Sequence, residues 1–469
     1  MSDPLIGAFA IIALFVLVLG GVHIAFSLMA IALIGMYLLS ENLELTALLA
    51  SNAAFGGVRQ YVFVVIPLFI LMGAFMSNSA AAHHLFAAAQ IGLRRMIGGL
   101  GIATVFANAL FAAVTGVSAA SAAIFSRIAV PEMLKRGYDL RLAVGAVAGS
   151  SVLGILIPPS LLLILYGVIG QVSIGRLFLA GIIPGLLLAV FYVVLIVVLG
   201  YTRPEWVGKV ARESRRRRAE VSASVGGSRS SELAIGDGPN SHFVAEVSAV
   251  SRNPAARIMA TVPVLFLFAA VIGGIWLGWY TPTEASAIGA LGALIIAVGY
   301  GMRKDRMIES FRETAASIGA IMLLLIAAQM YSKMLSRSGL IFELGGWLQS
   351  INLGPYVVIA LFVVVLLLMG SILDSSSIVL IMVPVMVPVA LMLELDPIWF
   401  GIVMIIAIEI GVLTPPFGMV PYVMSAVLKP RVSVGKIFIG ASPFVFCNLL
   451  LLVLVVIFPE LATWLPNQA

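Results

Sequence analysis

The stretch that decides the fold is GILIPPS, Gly154 to Ser160, which places two consecutive prolines inside an apolar run. The second half of the chain repeats the arrangement as GVLTPPFG, Gly411 to Gly418, again among Ile, Val, Met and Leu. Proline lacks the backbone N–H and clashes with the carbonyl one turn back, so two in succession break a helix and free several carbonyls. Because the break occurs twice, we predict that the freed carbonyls have the same function in both halves of the chain.

The composition indicates that the chain lies in a lipid bilayer. With 62% hydrophobic residues, 10% charged residues and a mean hydropathy of +1.15, the chain has too much apolar surface for a water-soluble globule. Runs such as LFLAGIIPGLLLAVFYVVLIVVLG, residues 177–200, reach the length of about 20 residues that crosses a bilayer. Because helices satisfy their own backbone groups in lipid, we predict an all-α polytopic membrane protein.

The single cysteine, Cys447, excludes an intrachain disulfide and a cysteine metal cluster. The net charge of +6 comes mostly from one loop, so nucleic-acid binding is not predicted.

The chain contains an internal duplication. An offset of 257 residues superimposes four landmarks: Pro131 on Pro388, Asp139 on Asp396, Gly154 on Gly411, and Pro158-Pro159 on Pro415-Pro416. Such repeats are typical of membrane transporters.

The charges around the two copies are reversed. EMLKRGYDLR, residues 132–141, is rich in basic residues, whereas the equivalent VALMLELDP, residues 389–397, has none. After the Pro-Pro pairs the first copy has only Arg176, while LKPRVSVGK, residues 428–436, has three basic residues. Because basic loops stay on the cytoplasmic side, the repeats are predicted to lie inverted in the membrane.

Each repeat also has an irregular polar segment between two short apolar runs. These are FAAVTGVSAASAA, Phe111 to Ala123, and LMGSILDSSSIV, Leu368 to Val379. The runs are short for full crossings, so we predict two re-entrant hairpins whose tips stop inside the membrane, where protein or a water-filled cavity must surround them.

One hairpin tip and one broken helix in each repeat predict two matched half-sites near the midplane. Freed carbonyls suit a desolvated Na⁺, and half-helix N-termini suit an anion. The candidate sodium or substrate residues are Asn108, Thr115, Gly116, Ser118, Ser121, Gly154, Pro158, Gly370, Asp374, Ser375, Ser376, Glu409, Gly411, Thr414 and Pro415. The sodium ligands proper are predicted to be Thr115, Gly116, Ser118, Asp374, Ser375 and Thr414. No cofactor is expected besides the coupling ion.

Structural roles compete for several of these residues. Asp374 is placed to cap the returning helix as well as to coordinate an ion, and Glu409 suits a buried structural partner as well as a site residue. Small serines also permit close helix packing, and Asn108 also suits an interhelical hydrogen bond. Glu284, in TPTEAS, is predicted to start a helix as an acid in its first turn.

The predicted organisation has five parts. His83-His84 and Arg94-Arg95 flank a segment expected to lie along the membrane interface as an arm. The parts are an N-terminal scaffold segment (1–58), repeat 1 with its arm, hairpin and broken helix 154–160 (59–202), a polar cytoplasmic linker (203–257), scaffold helices (258–315) and repeat 2 with its arm, hairpin and broken helix 411–418 (316–469).

The chain resembles the large membrane subunit of tripartite ATP-independent periplasmic (TRAP) transporters, the DctM-like permeases. The resemblance is carried by IPLFILMGAFM (Ile66 to Met76), VPEMLKRGYDLRLA, GILIPPS, TPTEASA (Thr281 to Ala287), GSILDSSS and EIGVLTPPFGM. It implies a Na⁺-driven, inverted-repeat secondary importer of the elevator type in the bacterial cytoplasmic (inner) membrane, moving a small organic acid, a carboxylate. It also implies two partners, a small four-helix membrane subunit and a periplasmic substrate-binding protein.

Two other functions compete with this one. The first is a stand-alone Na⁺-coupled carboxylate transporter of the wider ion-transporter superfamily. The second is an integral membrane enzyme, against which stand the missing metal cluster and the lack of a nucleophile and base constellation. We therefore predict that the chain is not an enzyme.

Overall fold

The computed structural model describes residues 2–59, 61–208, 259–350, 354–430 and 432–468. Those residues form helices and the turns that join them, without a β-strand among them. The all-α prediction is confirmed. From residue 209 onward the predicted polar linker lies outside the described residues, as does Arg431 of the charge argument.

The first half of the chain runs from α1 to α10. The helices are α1 Asp3–Leu19, α2 Ile24–Ser40, α3 Leu43–Arg59, α4 Val65–Ser77, α5 Ala81–Leu93, α6 Gly99–Thr115, α7 Ser118–Lys135, α8 Leu140–Leu156, α9 Leu161–Gly170 and α10 Ile174–Thr202, with 3₁₀ turns at Tyr61–Val64 and Pro204–Val207.

The second half continues from α11 to α20. The helices are α11 Val262–Trp276, α12 Pro282–Gly299, α13 Lys304–Ser338, α14 Leu340–Ser350, α15 Pro355–Gly370, α16 Ser375–Met392, α17 Pro397–Leu413, α18 Met419–Leu428, α19 Val434–Ile457 and α20 Glu460–Thr463. The order α15 to α19 repeats the order α6 to α10, as the internal duplication predicts.

Helix lengths separate full crossings from shorter elements. Among the described residues, 6 helices are long and apolar enough to cross a membrane, or up to 7 if the bent pair Leu43–Gly56 and Tyr61–Ser77 forms one span. The hairpin helices α6 and α15 have 17 and 16 residues. At 1.5 Å per residue each extends about 25 Å, less than the ~30 Å of hydrocarbon. Their length fits hairpin arms that stop short of the far surface.

Packing of the two repeats is reciprocal. α6 packs against α8 as α15 packs against α17, so each hairpin lies on the broken helix of its own repeat. The half-helices after the breaks exchange partners, because α9 packs against α16 and α18 packs against α7. α8 contacts α19 as α10 contacts α17, and both α8 and α17 are buried along almost their whole length. The hairpins and broken helices therefore form one interlocked unit.

The starts of the two broken helices use the same residue in the same way. The Asp139 carboxylate accepts from the backbone N–H of Arg141 at 2.7 Å and caps α8. The Asp396 carboxylate accepts from the N–H groups of Ile398 and Trp399 at 2.7 and 3.1 Å and caps α17. The repeated aspartates thus set where each broken helix begins.

A second group of helices surrounds this unit. α13, with 35 residues, packs against α2, α3 and α4, and α12 packs against α4 and α11. At the start of α12, Thr281 and Glu284 form a reciprocal capping box, so the structural prediction for Glu284 is confirmed.

The predicted arm is α5, which packs against hairpin helix α6. Its His84 ring lies against Tyr300 with ring centroids 4.6 Å apart, and Thr261 donates to the His84 carbonyl at 3.0 Å. Burial lowers the pKa of His84, and burial together with the neighbouring His84 lowers the pKa of His83. The contacts attach the arm to the ends of α11 and α12.

Candidate functional site

The two Pro-Pro pairs interrupt their helices as predicted. Helix α8 ends at Leu156 and α9 begins at Leu161, with the Ser160 hydroxyl accepting from the Leu163 N–H at 3.4 Å as the N-cap. In the second repeat α17 ends at Leu413 and α18 begins at Met419. Pro158 in the first break is buried, whereas Pro415 in the second is exposed. Both breaks therefore interrupt a helix at a Pro-Pro pair, but only the second is exposed at the surface.

One glycine on each broken helix allows the hairpin of the same repeat to touch that helix. A Cβ on Gly154 would lie 2.1 Å from the Ala112 Cβ of α6, and one on Gly411 would lie 2.6 Å from the Gly370 Cα of α15. Real atoms do not approach so closely, so both positions require glycine for close backbone contact. Three of the candidate residues, Gly154, Gly370 and Gly411, therefore hold the hairpins against the breaks.

The tip of hairpin 1, Thr115 to Ser118, lies against the first break. Gly116 ends α6 in the left-handed region at φ 70, and a Cβ there would lie 3.5 Å from the Leu161 backbone nitrogen at the start of α9. Thr115 contacts the scaffold, since a Cβ on Gly73 of α4 would lie 2.9 Å from the Thr115 carbonyl oxygen. The N-termini of α7 and α9 are thus brought near each other.

Local hydrogen bonds engage the other polar groups of this tip. The Thr115 hydroxyl donates to the Ala112 carbonyl at 3.3 Å, and the Ser121 hydroxyl donates to the Ser118 carbonyl at 3.0 Å. Both bonds close within one turn. In this structure the hydroxyls of Thr115 and Ser121 support the tip.

The tip of hairpin 2, Gly370 to Ser376, is capped by its acid. The Asp374 carboxylate accepts from the Ser377 backbone N–H at 3.0 Å and from the Ser377 hydroxyl, so it is the N-cap of α16. Its side chain is half-buried, as is Ser376. Capping occupies one face of the carboxylate, and the coordinating role remains a prediction.

Glu409 connects the two tips. It is 1% exposed, and the Ser375 hydroxyl at the start of α16 donates to its Oε1 at 2.7 Å. The Ser118 side chain at the start of α7 lies beside the same carboxylate. The other carboxylate oxygen, Oε2, is buried and has no hydrogen-bond partner. Sequence reasoning selected all three residues individually but missed their convergence.

The remaining two polar candidates make helix-to-helix or within-helix bonds. The Asn108 side-chain amide donates to the Val147 carbonyl at 3.0 Å and to the Ser150 hydroxyl at 2.8 Å, which joins α6 to α8. The Thr414 hydroxyl donates to the Ile410 carbonyl at 2.6 Å at the end of α17. For Asn108 the structure contains the interhelical bond that the sequence left as one of two alternatives.

A cavity lies elsewhere, at the boundary between the interlocked unit and the surrounding helices. It has a volume of about 660 Å³ and is lined by the end of α9, the start of α10, the start of α12 and the 3₁₀ turn Tyr61–Val64. None of the candidate site residues lines it.

A duplicated, all-helical membrane protein with paired hairpins and paired broken helices has the architecture of a membrane transporter. The chain belongs to the family described as Tripartite ATP-independent periplasmic transporter, DctM component, whose model matches residues 11–461. The resemblance stated from the sequence is confirmed.

Curated relatives agree over most of the chain. It is 30% identical over 411 residues to the C4-dicarboxylate TRAP transporter large permease protein DctM of Pseudomonas aeruginosa, covering 87% of each chain. It is 32% identical over 433 residues to the protein of the same name from Rhodobacter capsulatus, covering 88% of each. It is 28% identical over 453 residues to the sialic acid TRAP transporter large permease protein SiaM of Vibrio cholerae, covering 96% of each.

Two solved structures share the fold. The YdaH transporter of Alcanivorax borkumensis superposes with a TM-score of 0.57 at 15% identity, covering 90% of this chain and 89% of that one. The Neisseria gonorrhoeae protein MtrF, described among antimetabolite efflux pumps, superposes with a TM-score of 0.60 at 11% identity, covering 90% and 85%. The family and its curated relatives identify a multi-pass transporter permease and not an enzyme, and these neighbours show its fold.

Proposed function

We propose that this chain is the membrane-spanning path of a Na⁺-driven importer that carries a small organic carboxylate across the bacterial inner membrane. The observation that carries the proposal is the meeting of two hairpin tips with two broken helices inside one interlocked unit. Irregular backbone at that depth is stable only where protein or a bound solute satisfies it.

Sodium is supported by the chemistry of the tips. Hydroxyl and carbonyl oxygens predominate there, and among the described residues no group of three or more His, Cys, Asp or Glu could hold a metal ion. A monovalent hard cation suits such oxygens. The proposed ligands are Thr115, Gly116, Ser118, Asp374, Ser375 and Thr414.

An anionic solute is supported by the helix N-termini beside the tips. α7 and α9 begin near each other at the first break, and the N-terminal end of a helix carries about half a positive charge. Neither tip contains Lys or Arg, so helix dipoles and bound Na⁺ would neutralise the carboxylate. The relatives named for C4-dicarboxylates and sialic acid carry solutes of this class.

An elevator mechanism is supported by the packing. Each half-helix after a break is held by the hairpin of the other repeat, so the breaks and tips would move together as one body past the scaffold helices α2, α3, α4 and α13. Motion of one body changes which side the site faces without dismantling it.

Two partners complete the proposal, a small four-helix membrane subunit and a periplasmic substrate-binding protein. The family's own description as a component of a tripartite periplasmic transporter supports them and disfavours the stand-alone alternative.

The test is solute uptake by proteoliposomes that contain this chain and its small subunit. Radiolabelled C4-dicarboxylate and sialic acid serve as probes, each with and without its binding protein, under imposed Na⁺ or K⁺ gradients. Uptake should require the loaded binding protein and an inward Na⁺ gradient. Uptake that is indifferent to Na⁺ would refute coupling, and uptake without the binding protein would refute the tripartite requirement.

A further inference from the structure

Two candidate residues have a buried side-chain oxygen without a hydrogen-bond partner, Asn108 at Oδ1 and Glu409 at Oε2, and only Glu409 is an acid. Its carboxylate is buried at 1% exposure, Oε1 accepts from Ser375, and Oε2 has no partner. Among the described residues Glu409 forms no ion pair with Lys, Arg or His. A buried carboxyl group in this position either holds a proton or pairs with a positive charge, because burial strongly disfavours an unpaired ionised group.

The two serines beside Glu409 are equivalent positions of the two repeats. The offset of 257 that aligns the Pro-Pro pairs places Ser118 on Ser375, and each is the first residue of a returning hairpin helix. One carboxylate approached by two equivalent residues lies close to the axis that relates the repeats. The same offset places Val152 on Glu409, so the acid has no counterpart in repeat 1.

The oxygen set around Glu409 selects a monovalent cation. One carboxylate charge and two neutral hydroxyls balance a single positive charge, whereas a divalent ion would leave a net charge buried. A proton on Oε2 is the competing occupant, because the O–H would donate to a neighbouring serine oxygen, and the pH dependence of uptake distinguishes it from Na⁺. Tyr192, whose phenol oxygen accepts from the Asn448 amide at 2.6 Å, is a further titratable group that interacts electrostatically with Glu409.

We propose that Glu409 is the carboxylate ligand of a Na⁺ site shared by both hairpins, with the Ser118 and Ser375 hydroxyls as its neutral ligands. The inference rests on the proposed function and adds to it a single ion at the axis between the half-sites. Such an ion bridges the starts of α7 and α16, so each hairpin can close fully only when the other is in place. The two tips then respond to Na⁺ together.

The test measures Na⁺ binding directly on the purified complex of this chain with its small subunit. Equilibrium binding of radioactive Na⁺ and the rise in thermal unfolding midpoint are measured in NaCl against choline chloride at constant ionic strength. Glu409→Gln keeps the shape and removes the charge. It should lose one bound Na⁺ and weaken the Na⁺-dependent stabilisation at least tenfold in midpoint concentration. Glu394→Gln, on the exposed turn after α16, is the matched control and should match the wild type.

Each outcome separates this proposal from the proposed function. If Na⁺ drives uptake and Glu409→Gln binds Na⁺ like the wild type, the shared site is refuted while the coupled transporter stands. If the wild type binds no Na⁺, both fall. If Glu409→Gln changes only the pH dependence of uptake, the group carries a proton and the proposal is wrong. Should Glu409→Gln fail to fold, Ser375→Ala and Glu409→Asp replace it. Both should bind Na⁺ at least threefold more weakly, and wild-type affinity in both would refute the site.

Discussion

Gly411 and Gly370 meet where the second hairpin crosses its broken helix, and Gly154 meets Ala112 in the first repeat in the same way. At the level of single residues, these contacts explain why the chain uses glycine near the C-terminal ends of these apolar helices. Glycine there costs helix stability, and close approach of two backbones compensates for it. The glycines bring the tips to the breaks.

Replacing Gly411 with alanine should lower the free energy of unfolding by about 1–3 kcal/mol, as overpacking of a filled core does. The new Cβ would lie 2.6 Å from the Gly370 Cα and 2.8 Å from the Leu367 carbonyl, both backbone atoms that cannot rotate away. Thermal unfolding of the purified protein measures the change. Gly435→Ala is the control, because Gly435 is exposed and a Cβ there has open space. Equal effects at the two positions would contradict the packing argument.

The two roles of Asp374 can be separated at the same scale. Asparagine caps helices as well as aspartate does, so Asp374→Asn should leave stability unchanged, while Asp374→Ala should cost about 0.5–2 kcal/mol. If Asp374 also binds Na⁺, both variants should need a higher Na⁺ concentration for half-maximal uptake. Wild-type Na⁺ dependence in Asp374→Asn would show that capping is its whole role.

At the level of elements, the two broken helices are built alike and exposed differently. Ser160 and Phe417 are equivalent positions at the offset of 257, yet Ser160 is 0% exposed and Phe417 is 58% exposed. The first break is covered and the second is open. In an inverted repeat, such an asymmetry corresponds to a site that is accessible from one side of the membrane at a time.

Cysteine labelling reads this asymmetry directly. In a Cys447→Ser background, Phe417→Cys should react with a hydrophilic thiol reagent at least tenfold faster than Ser160→Cys, because Phe417 is exposed and Ser160 is buried. The rates are measured by mass shift over time, without solute or Na⁺. Equal rates at the two positions would contradict the difference in access.

The elements were predictable from the sequence, and the contacts between them were not. Two prolines in an apolar run determine where a helix stops. Asp139 and Asp396 are residues of the type that caps the start of a helix. Hydroxyl-rich tips between short runs identified both hairpins. The convergence of Ser118 and Ser375 on Glu409 depends on how the repeats pack, which residue types alone do not encode. Likewise, the paired motifs did not predict that one break is buried and the other exposed.

At the level of the whole molecule, the repeats are interlocked and a cavity separates them from part of the scaffold. The cavity lies between α9 and α10 on one side and α12 and the 3₁₀ turn Tyr61–Val64 on the other. Gly175 of α10 and Pro282 of α12 approach each other beside it, with 3.6 Å between an added Cβ and the proline Cγ. In the proposed elevator mechanism, the repeats would slide past the scaffold at this boundary.

Joining that boundary should arrest transport. Gly175→Cys with Pro282→Cys, in the Cys447→Ser background and bridged by a short bis-thiol reagent, should abolish uptake while leaving Na⁺ binding intact. Reversal by cleaving the bridge controls for damage, and each single cysteine variant controls for the substitution. Normal uptake by the bridged protein would contradict relative motion at this boundary.

If Na⁺ drives solute movement as proposed, the solute gradient at which net flux vanishes depends on the Na⁺ gradient. Proteoliposomes with the small subunit and binding protein are set with opposing Na⁺ and solute gradients at zero membrane potential, and the solute ratio at zero net flux is measured for several Na⁺ ratios. We expect the solute ratio at zero net flux to rise with the Na⁺ ratio, because the two fluxes are coupled. A solute ratio that does not change with the Na⁺ ratio would contradict this coupling.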